Sequence, residues 1–319
     1  MTFDIYLFSI PFIKPFGLSA GIQQVREGFI ISLDKKYAEV SPLLGYSKET
    51  LKDVFNQLTN LPTNCDINNL YPSVEWGLLS LLLPKIDNKL SLCHLNYENS
   101  VKCAKIKLFD QDIEKCIHKC KSIKEKDSSV VLRLDINRAW SLNDAKRFSN
   151  AFSVRDFEYL EEPCRSIEDL IMFSKATNFP IGLDETLYLD NQIPKLPSVK
   201  ALILKPTLLG NKLIHFIQKG KNLGLELVFS SSFETSIGID HIWSIANIVN
   251  GSDYQGLDTL KYLKYESPFN LDLKKDIINQ EKETFCKKIF SCKNTKNIYA
   301  RLEKLERFME ANLQLSTKK

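Results

Sequence analysis

Val130-Val-Leu-Arg-Leu-Asp135, Phe157-Glu-Tyr-Leu-Glu161, Ile181-Gly-Leu-Asp184 and Ala201-Leu-Ile-Leu-Lys205 follow one another along the chain. Each is a short apolar run that ends in a charged residue. The runs are spaced by roughly 20 to 30 residues, the length that a strand, a helix and two loops need in successive parallel βα units. One similar run precedes them, Ala104 to Phe109, and one follows, Leu225 to Ser231, with Pro163, Gly182, Pro206, Gly210 and Gly224 near the strand edges. Repeated βα units around one core predict a barrel in the α/β class. The active site of such a barrel lies at the C-terminal ends of its strands.

The charged residues at those ends carry the chemical reading. Asp135, Glu161 and Asp184 put three carboxylates on consecutive strands. Like charges that close repel unless a cation joins them, and an all-oxygen ligand set favours Mg²⁺, with Mn²⁺ as a substitute. Lys105 and Lys107 are two residues apart, so a strand projects both from one face. Neighbouring ammonium groups and a dication lower a lysine pKa toward the value a general base needs. Lys107, nearer the strand end, is the candidate base, and Lys205 approaches the mouth from the opposite side. Arg133 faces the same way as Asp135 one layer deeper, either to steer a substrate or to form an ion pair inside the barrel. Ser230 and Ser231 end a strand where hydroxyls and backbone N–H groups could hold a carboxylate or cap a helix. Glu185 is a candidate hydrogen-bond partner for Lys205, and Glu162, turned away by strand alternation, has at most a supporting role.

Outward from the barrel, residues 1–98 read as an α+β unit. Strands Phe3 to Ile10, Gln23 to Leu33 and Tyr37 to Ser41, with a turn at Asp34-Lys35-Lys36, lead to a helix capped by Ser47 and a second helix from Ser73 to Leu83. Residues 99–266 hold the barrel. Residues 267–319 turn Lys-rich after Pro268, end in a helix from Asn297 to Leu313, and complete the barrel and pack on the cap. The segment Phe12 to Arg26, with Gly17 and Gly21 as hinges, is a candidate lid.

Composition bounds the function classes. In 319 residues, 44% hydrophobic and 26% charged content fits a globular chain with a sizeable core rather than a disordered one. A net charge of +4 with no long like-charge block gives no support for nucleic-acid binding. Met1 to Phe16 carries Asp4 and is broken by Pro11, Lys14 and Pro15, so it reads as a strand rather than a leader. The longest apolar stretch, Trp76 to Pro84, is too short to cross a bilayer, and no membrane partner is expected. Eight cysteines without a CxxC pair read as reduced thiols in a cytoplasmic protein. Cys116 and Cys120 lie one turn apart on a predicted helix with His118 pointing elsewhere, which favours buried thiols over a zinc site. The four histidines, His94, His118, His215 and His241, fall outside the strand ends.

The ordered set AKIKL (104–108), RLDINRAW (133–140), YLEEPC (159–164), LDET (183–186), LKPTLLG (204–210), SSSFETSIG (230–238) and GLDT (256–259) resembles the enolase superfamily, and within its muconate-lactonizing-enzyme-like subgroup the o-succinylbenzoate synthases. REG (26–28) and AEVSPLLG (38–45) resemble that family's capping domain. The resemblance implies a modified TIM barrel of (β/α)7β type with an α+β cap. It implies Asp135, Glu161 and Asp184 as Mg²⁺ ligands, Lys107 as base and Lys205 as the lysine on the opposite face. Lys105, Arg133, Asn137, Glu185, Ser230, Ser231 and Gly256 are the further candidates for contact with substrate or support of these groups. The implied reaction is the dehydration of a small molecule, 2-succinyl-6-hydroxy-2,4-cyclohexadiene-1-carboxylate, to 2-succinylbenzoate, in menaquinone biosynthesis. Racemisation of N-acylamino acids or epimerisation of dipeptides would use the same two lysines, and a barrel that only binds a ligand would need none of them. The oligomeric state stays open.

Overall fold

The structure is a computed structural model and describes residues 2–18, 21–63, 69–98, 100–108, 112–266 and 285–313. Strands β1 (Phe3–Leu18), β2 (Gly21–Leu33) and β3 (Lys36–Val40) form an antiparallel meander. Asp34 and Lys35 make its two-residue turn, both at positive φ, as a turn matching the twist of its strands requires. The β1–β2 register slips between Pro11 and Phe16, next to a proline that has no N–H to give the ladder. Helices α1 (Leu51–Asn60) and α2 (Pro72–Ser80) pack on this sheet. Helix α1 is capped by Thr50, whose side chain and that of Asp53 bond reciprocally to each other's backbone, and not by Ser47. Ser47 is used earlier: its N–H and hydroxyl close a turn on the carbonyl and N–H of Leu43.

The barrel begins with β4 (Ser91–Leu92) and β5 (His94–Leu95), ahead of the 98/99 division expected from the sequence. Parallel strands follow: β6 (Cys103–Lys107), β7 (Val131–Asp135), β8 (Tyr159–Glu161), β9 (Ile181–Leu183), β10 (Val199–Leu204), β11 (Glu226–Phe229) and β12 (Tyr254–Gln255). Between them run α3 (Ile113–Lys126), α4 (Leu142–Ser149), α5 (Ile167–Thr177), the short α6 (Glu185–Tyr188) and α7 (Pro206–Leu209), α8 (Lys212–Asn222) and α9 (Ser236–Ile248). Strand β12 pairs with β4, and its neighbours bond to β11 through Ser252 N–H to Leu227 O and Gly256 N–H to Phe229 O. That closes the ring: the segment 91–95 touches β12 on one side and β6 on the other. Cys116 and Cys120 lie buried on the inner face of α3 while His118 is exposed, as their spacing predicts.

Strand β13 (Phe285–Cys292) has no counterpart in the sequence reading. It pairs antiparallel with β1 at the edge of the cap sheet, and its exposed Lys287 and Lys288 suit an edge position. Helix α10 (Lys296–Leu313) then packs on α8 and α2. Pro268 and the Lys-rich stretch after it lie outside the described residues, as do positions 19–20 of the candidate lid. The cap sheet buries both faces, one against its helices and the other, through Phe8, Ile10, Phe12 and Ile30, against Leu208, Phe233 and Leu263 above the barrel mouth.

Candidate active site

Register alone brings the charged strand ends together. Lys107 pairs with Asp135 across β6 and β7, Asp135 with Glu161 across β7 and β8, and Glu161 with Gly182 across β8 and β9. Adjacent strands stand about 4.8 Å apart, so these side chains emerge at one height. Asp184 follows the end of β9 and Lys205 the end of β10. Lys105 Nζ sits 2.7 Å from Glu161 Oε1 and 3.1 Å from Asp135 Oδ2. Lys205 Nζ is ion-paired to Asp184 Oδ2. Lys107 makes no ion pair among the described residues.

The electrostatics separate the three lysines. Burial disfavours the charge on each, but at Lys105 the Asp135 and Glu161 carboxylates outweigh it, and at Lys205 Asp184 and Glu185 do, so both ammonium groups are held. At Lys107 burial wins: with Lys105 and Lys205 adding to it against Asp135, the pKa falls below the ordinary lysine value. Burial, then the Asp135 charge, push Glu161 well above the usual carboxylate range.

Among the described residues no three acidic, His or Cys side chains form a ready-made metal cluster. Lys105 stands between two of the carboxylates and Lys205 against the third. Yet Asp135 Oδ1, Glu161 Oε2 and Asp184 Oδ1 are each buried without a hydrogen-bond partner. A buried carboxylate oxygen without a partner is costly. Three of them at neighbouring strand ends, hard donors only, fit a hard divalent cation.

The remaining candidates divide. Lys107, Asn137, Lys205, Ser230, Ser231 and Gly256 line one cavity at the mouth, together with Lys105 and Asp135. Ser231 is already engaged: its hydroxyl bonds Glu234 and Thr259 and accepts the Phe233 N–H. It caps the loop itself, and Thr235 occupies the N-cap of α9. Glu185 does not bond Lys205 as expected. Its Oε1 accepts from Asn137 Nδ2 at 3.1 Å, and burial, then Asp184, push its pKa up to about 7. Arg133 does not reach the cavity. Its guanidinium bonds Glu158, Ser252 Oγ and the Tyr254 carbonyl and lies 5.2 Å over the Tyr159 ring, inside the barrel toward the starts of the strands. Strand alternation gave its face correctly, but a long side chain on that face can point along the barrel axis in either direction. His94 begins β5, where it faces Asp258 at 3.6 Å, and does not line the cavity.

Leu43, Tyr46, Cys93, Leu95, Phe233 and Thr259 also line the cavity and were not anticipated. Leu43 and Tyr46 come from the cap loop before α1, so the cap reaches the site through that loop. The loop is fixed by buried Arg26, which donates to the carbonyls of Ser41, Pro42 and Phe233, while Glu39 accepts from the Thr235 N–H and hydroxyl. The motifs around Arg26, Glu39 and Ser230 carried the signal, but their mutual contact needs the fold.

A closed ring of parallel strands with facing lysines and carboxylates at one end, under an α+β cap, defines an enolase-superfamily enzyme. A family model described as "Enolase C-terminal domain-like" matches residues 93–198, and one described as "MenC, N-terminal domain" matches residues 1–83. The chain belongs to the o-succinylbenzoate synthase family. It is 31% identical over 300 residues to an o-succinylbenzoate synthase of Aliivibrio fischeri (strain MJ11), covering 83% of this chain and 92% of the relative. It is 33% identical over 272 residues to one from Vibrio cholerae serotype O1 (strain M66-2), covering 74% and 82%. Among solved structures, o-succinylbenzoate synthase from Thermosynechococcus elongatus BP-1, complexed with Mg in its active site, superposes with a TM-score of 0.69 at 18% identity, covering 83% of this chain and 95% of that one. The L-Ala-D/L-Glu epimerase from Bacillus subtilis superposes at 0.65 and 16% identity, covering 83% and 91%. These two show the shared fold.

Proposed function

We propose that the chain is a Mg²⁺-dependent hydro-lyase that converts 2-succinyl-6-hydroxy-2,4-cyclohexadiene-1-carboxylate into 2-succinylbenzoate and water, a step of menaquinone biosynthesis. The observation that carries this reading is the asymmetry of the facing lysines: Lys107 has no ion pair among the described residues and a depressed pKa, while Lys205 is held charged on the far side of three carboxylates with partnerless oxygens. Asp135, Glu161 and Asp184 would hold Mg²⁺, or Mn²⁺ in its place. When bound, the metal supplies Lewis-acid neutralisation of the charge that builds on the substrate carboxylate.

The residues of the chain do the rest. Lys107 as a neutral amine takes the proton α to the carboxylate. The resulting ammonium then gives that proton to the hydroxyl leaving from the same side, so the dehydration is syn and one residue serves as base and then acid. The ring becomes aromatic as the C–O bond breaks, so positioning and charge stabilisation are what the protein must supply. Lys205, kept protonated by Asp184, places a fixed positive charge toward the anionic ring. Ser230 and the cap residues Leu43 and Tyr46 border the space left for the succinyl arm. We further place the enzyme in the cytoplasm, a reading supported by seven free cysteines among the described residues. No helix among those residues is long and apolar enough to cross a membrane.

Incubation of the purified chain with Mg²⁺ and the cyclohexadiene acid is expected to produce the ultraviolet spectrum of an aromatic product. That activity should vanish on chelation and return with added Mg²⁺. Racemisation of N-succinylamino acids without any aromatic product would replace this reading with the racemase one. Neither activity, in protein that still binds the product, would leave a binding barrel.

A further inference from the structure

Glu162 carries more than the supporting role its strand position suggests. It is 1% exposed and sits at positive φ, a left-handed conformation uncommon for a residue with a side chain. Asn137 and Arg138, in the loop that leaves Asp135, are also left-handed. Such backbone persists where surrounding contacts over-determine it, and here the contacts converge on one residue. The Glu162 carbonyl accepts the Arg138 N–H at 2.8 Å, and its own N–H donates to Gly182 O at 3.1 Å. Its Oε1 accepts the backbone N–H of Asp184 at 2.9 Å and that of Thr186 at 2.8 Å. Its Oε2 accepts from the Thr186 hydroxyl and from Arg138 Nε, each at 3.0 Å. Arg138 then reaches past it to Thr186 Oγ1 at 2.8 Å and to Asp190. Both carboxylate oxygens of Glu162 are therefore filled by donors of its own surroundings, and neither is left for a ligand.

The three loops tied together in this way are the three that carry Asp135, Glu161 and Asp184. Glu161 precedes Glu162 in the chain, Asp184 is held by its own N–H, and Asp135 is held through the loop ending at Arg138. We propose that Glu162, braced by Arg138, is a positioning residue that sets the spacing of the three carboxylates toward one divalent cation. It acts behind the site, through hydrogen bonds to backbone, and touches neither metal nor substrate. This inference rests on the reading of those carboxylates as the Mg²⁺ ligands. Loss of the Glu162 side chain strands the Asp184 and Thr186 N–H groups and lets the β9 loop relax away from the other two. An amide keeps one acceptor oxygen for those two N–H groups but turns its NH2 toward the Arg138 Nε–H, so it should serve better than alanine while losing the Arg138 brace.

The test is Mg²⁺ affinity in the absence of substrate, by isothermal titration and by the Mg²⁺-dependent rise in melting temperature. Glu162→Ala is expected to weaken Mg²⁺ binding by about 10- to 100-fold, the range for residues that orient metal ligands. Glu162→Gln should recover part of it, to about the level of the Arg138 variant. Arg138→Leu, on a partly exposed side chain, should shift affinity in the same direction by less, and it carries the test if the alanine variant does not fold. Parent-like Mg²⁺ affinity in folded Glu162→Ala, or in Arg138→Leu when the alanine variant does not fold, overturns the proposal, as does a glutamine variant as impaired as the alanine one. Failure of the parent chain itself to bind Mg²⁺ would instead remove the metal reading, so the two failures are distinct.

Discussion

Lys107 and Lys205 are the same residue in opposite surroundings, and the difference suits only one of them to the proposed role of base. Lys205 rests on Asp184, with its Nζ 5.9 Å from the centre of the Tyr188 ring, and stays charged. Lys107 loses hydration to burial and then faces two ammonium groups, which together lower its pKa against the pull of Asp135. A general base works in its deprotonated form, so kcat/KM should rise with pH as Lys107 loses its proton. The plateau should come below the value of about 10.4 typical of a free lysine, and a bound dication moves it further in the same direction. A rate still climbing beyond that value, measured at saturating Mg²⁺, would remove Lys107 as the base. Lys107→Ala should lower kcat by about 10²- to 10⁴-fold while product affinity changes little, and Lys107→Arg should do no better because a guanidinium does not deprotonate. The placement of both lysines at the mouth was legible in the sequence because a charge that ends an apolar strand has few places to go. Arg133 was not, because alternation fixes the face of a strand residue and leaves open which way a long side chain runs along the barrel axis.

The strand order follows from the spacing of apolar runs, but how tightly each strand is held depends on single positions. Gly182 on β9 lies between the side chains of Tyr159 on β8 and Ile203 on β10. A Cβ there would stand 2.8 Å from Ile203 Cδ1 and 2.8 Å from Tyr159 Cδ2, closer than carbon atoms pack. Those neighbours belong to a small buried cluster with Ala201 and Val228, separate from the main core, and have little room to yield. Gly182→Ala should therefore cost about 1–3 kcal/mol through overpacking, read as a lower urea midpoint with an unchanged slope. An unshifted midpoint would mean that the interior adjusts freely. Because Gly182 pairs with Glu161, the same variant should also weaken Mg²⁺ binding. The strands that escaped the sequence reading are those without an apolar run of their own. Strand β13 places two lysines at a sheet edge, and β4, β5 and β12 are two-residue pieces that exist because they close a ring.

The cap and barrel meet over a surface that joins apolar packing to a few buried charges. Phe8, Ile10 and Phe12 were legible as strand residues, but not as the floor of an interface, because the sequence of a two-sided buried strand does not say what lies on each side. Phe12 meets Phe233 edge-on at 5.6 Å, and the Phe233 carbonyl accepts from Arg26 Nε at 3.0 Å. Arg26 also donates to Pro42 O at 2.8 Å and Ser41 Oγ at 2.9 Å, so one guanidinium joins the loop bearing Leu43 and Tyr46 to the loop bearing Ser230 and Ser231. Burial works against its charge, while Glu39, then Glu234, support it. Taking away one partner of such a buried set leaves carbonyls without donors and Glu39 without its counter-charge, a loss of about 3–5 kcal/mol for buried pairs in general. Arg26→Ala should thus weaken the interface more than either body. In calorimetry the cap should melt ahead of the barrel as a separate transition, and KM should rise more than kcat falls, because the cap loop borders the cavity and the lysines do not move. Arg26→Lys should not restore the parent behaviour, since an ammonium lacks the planar fork that reaches several carbonyls at once. A single transition at the parent temperature in Arg26→Ala would show that apolar contacts alone couple the two bodies.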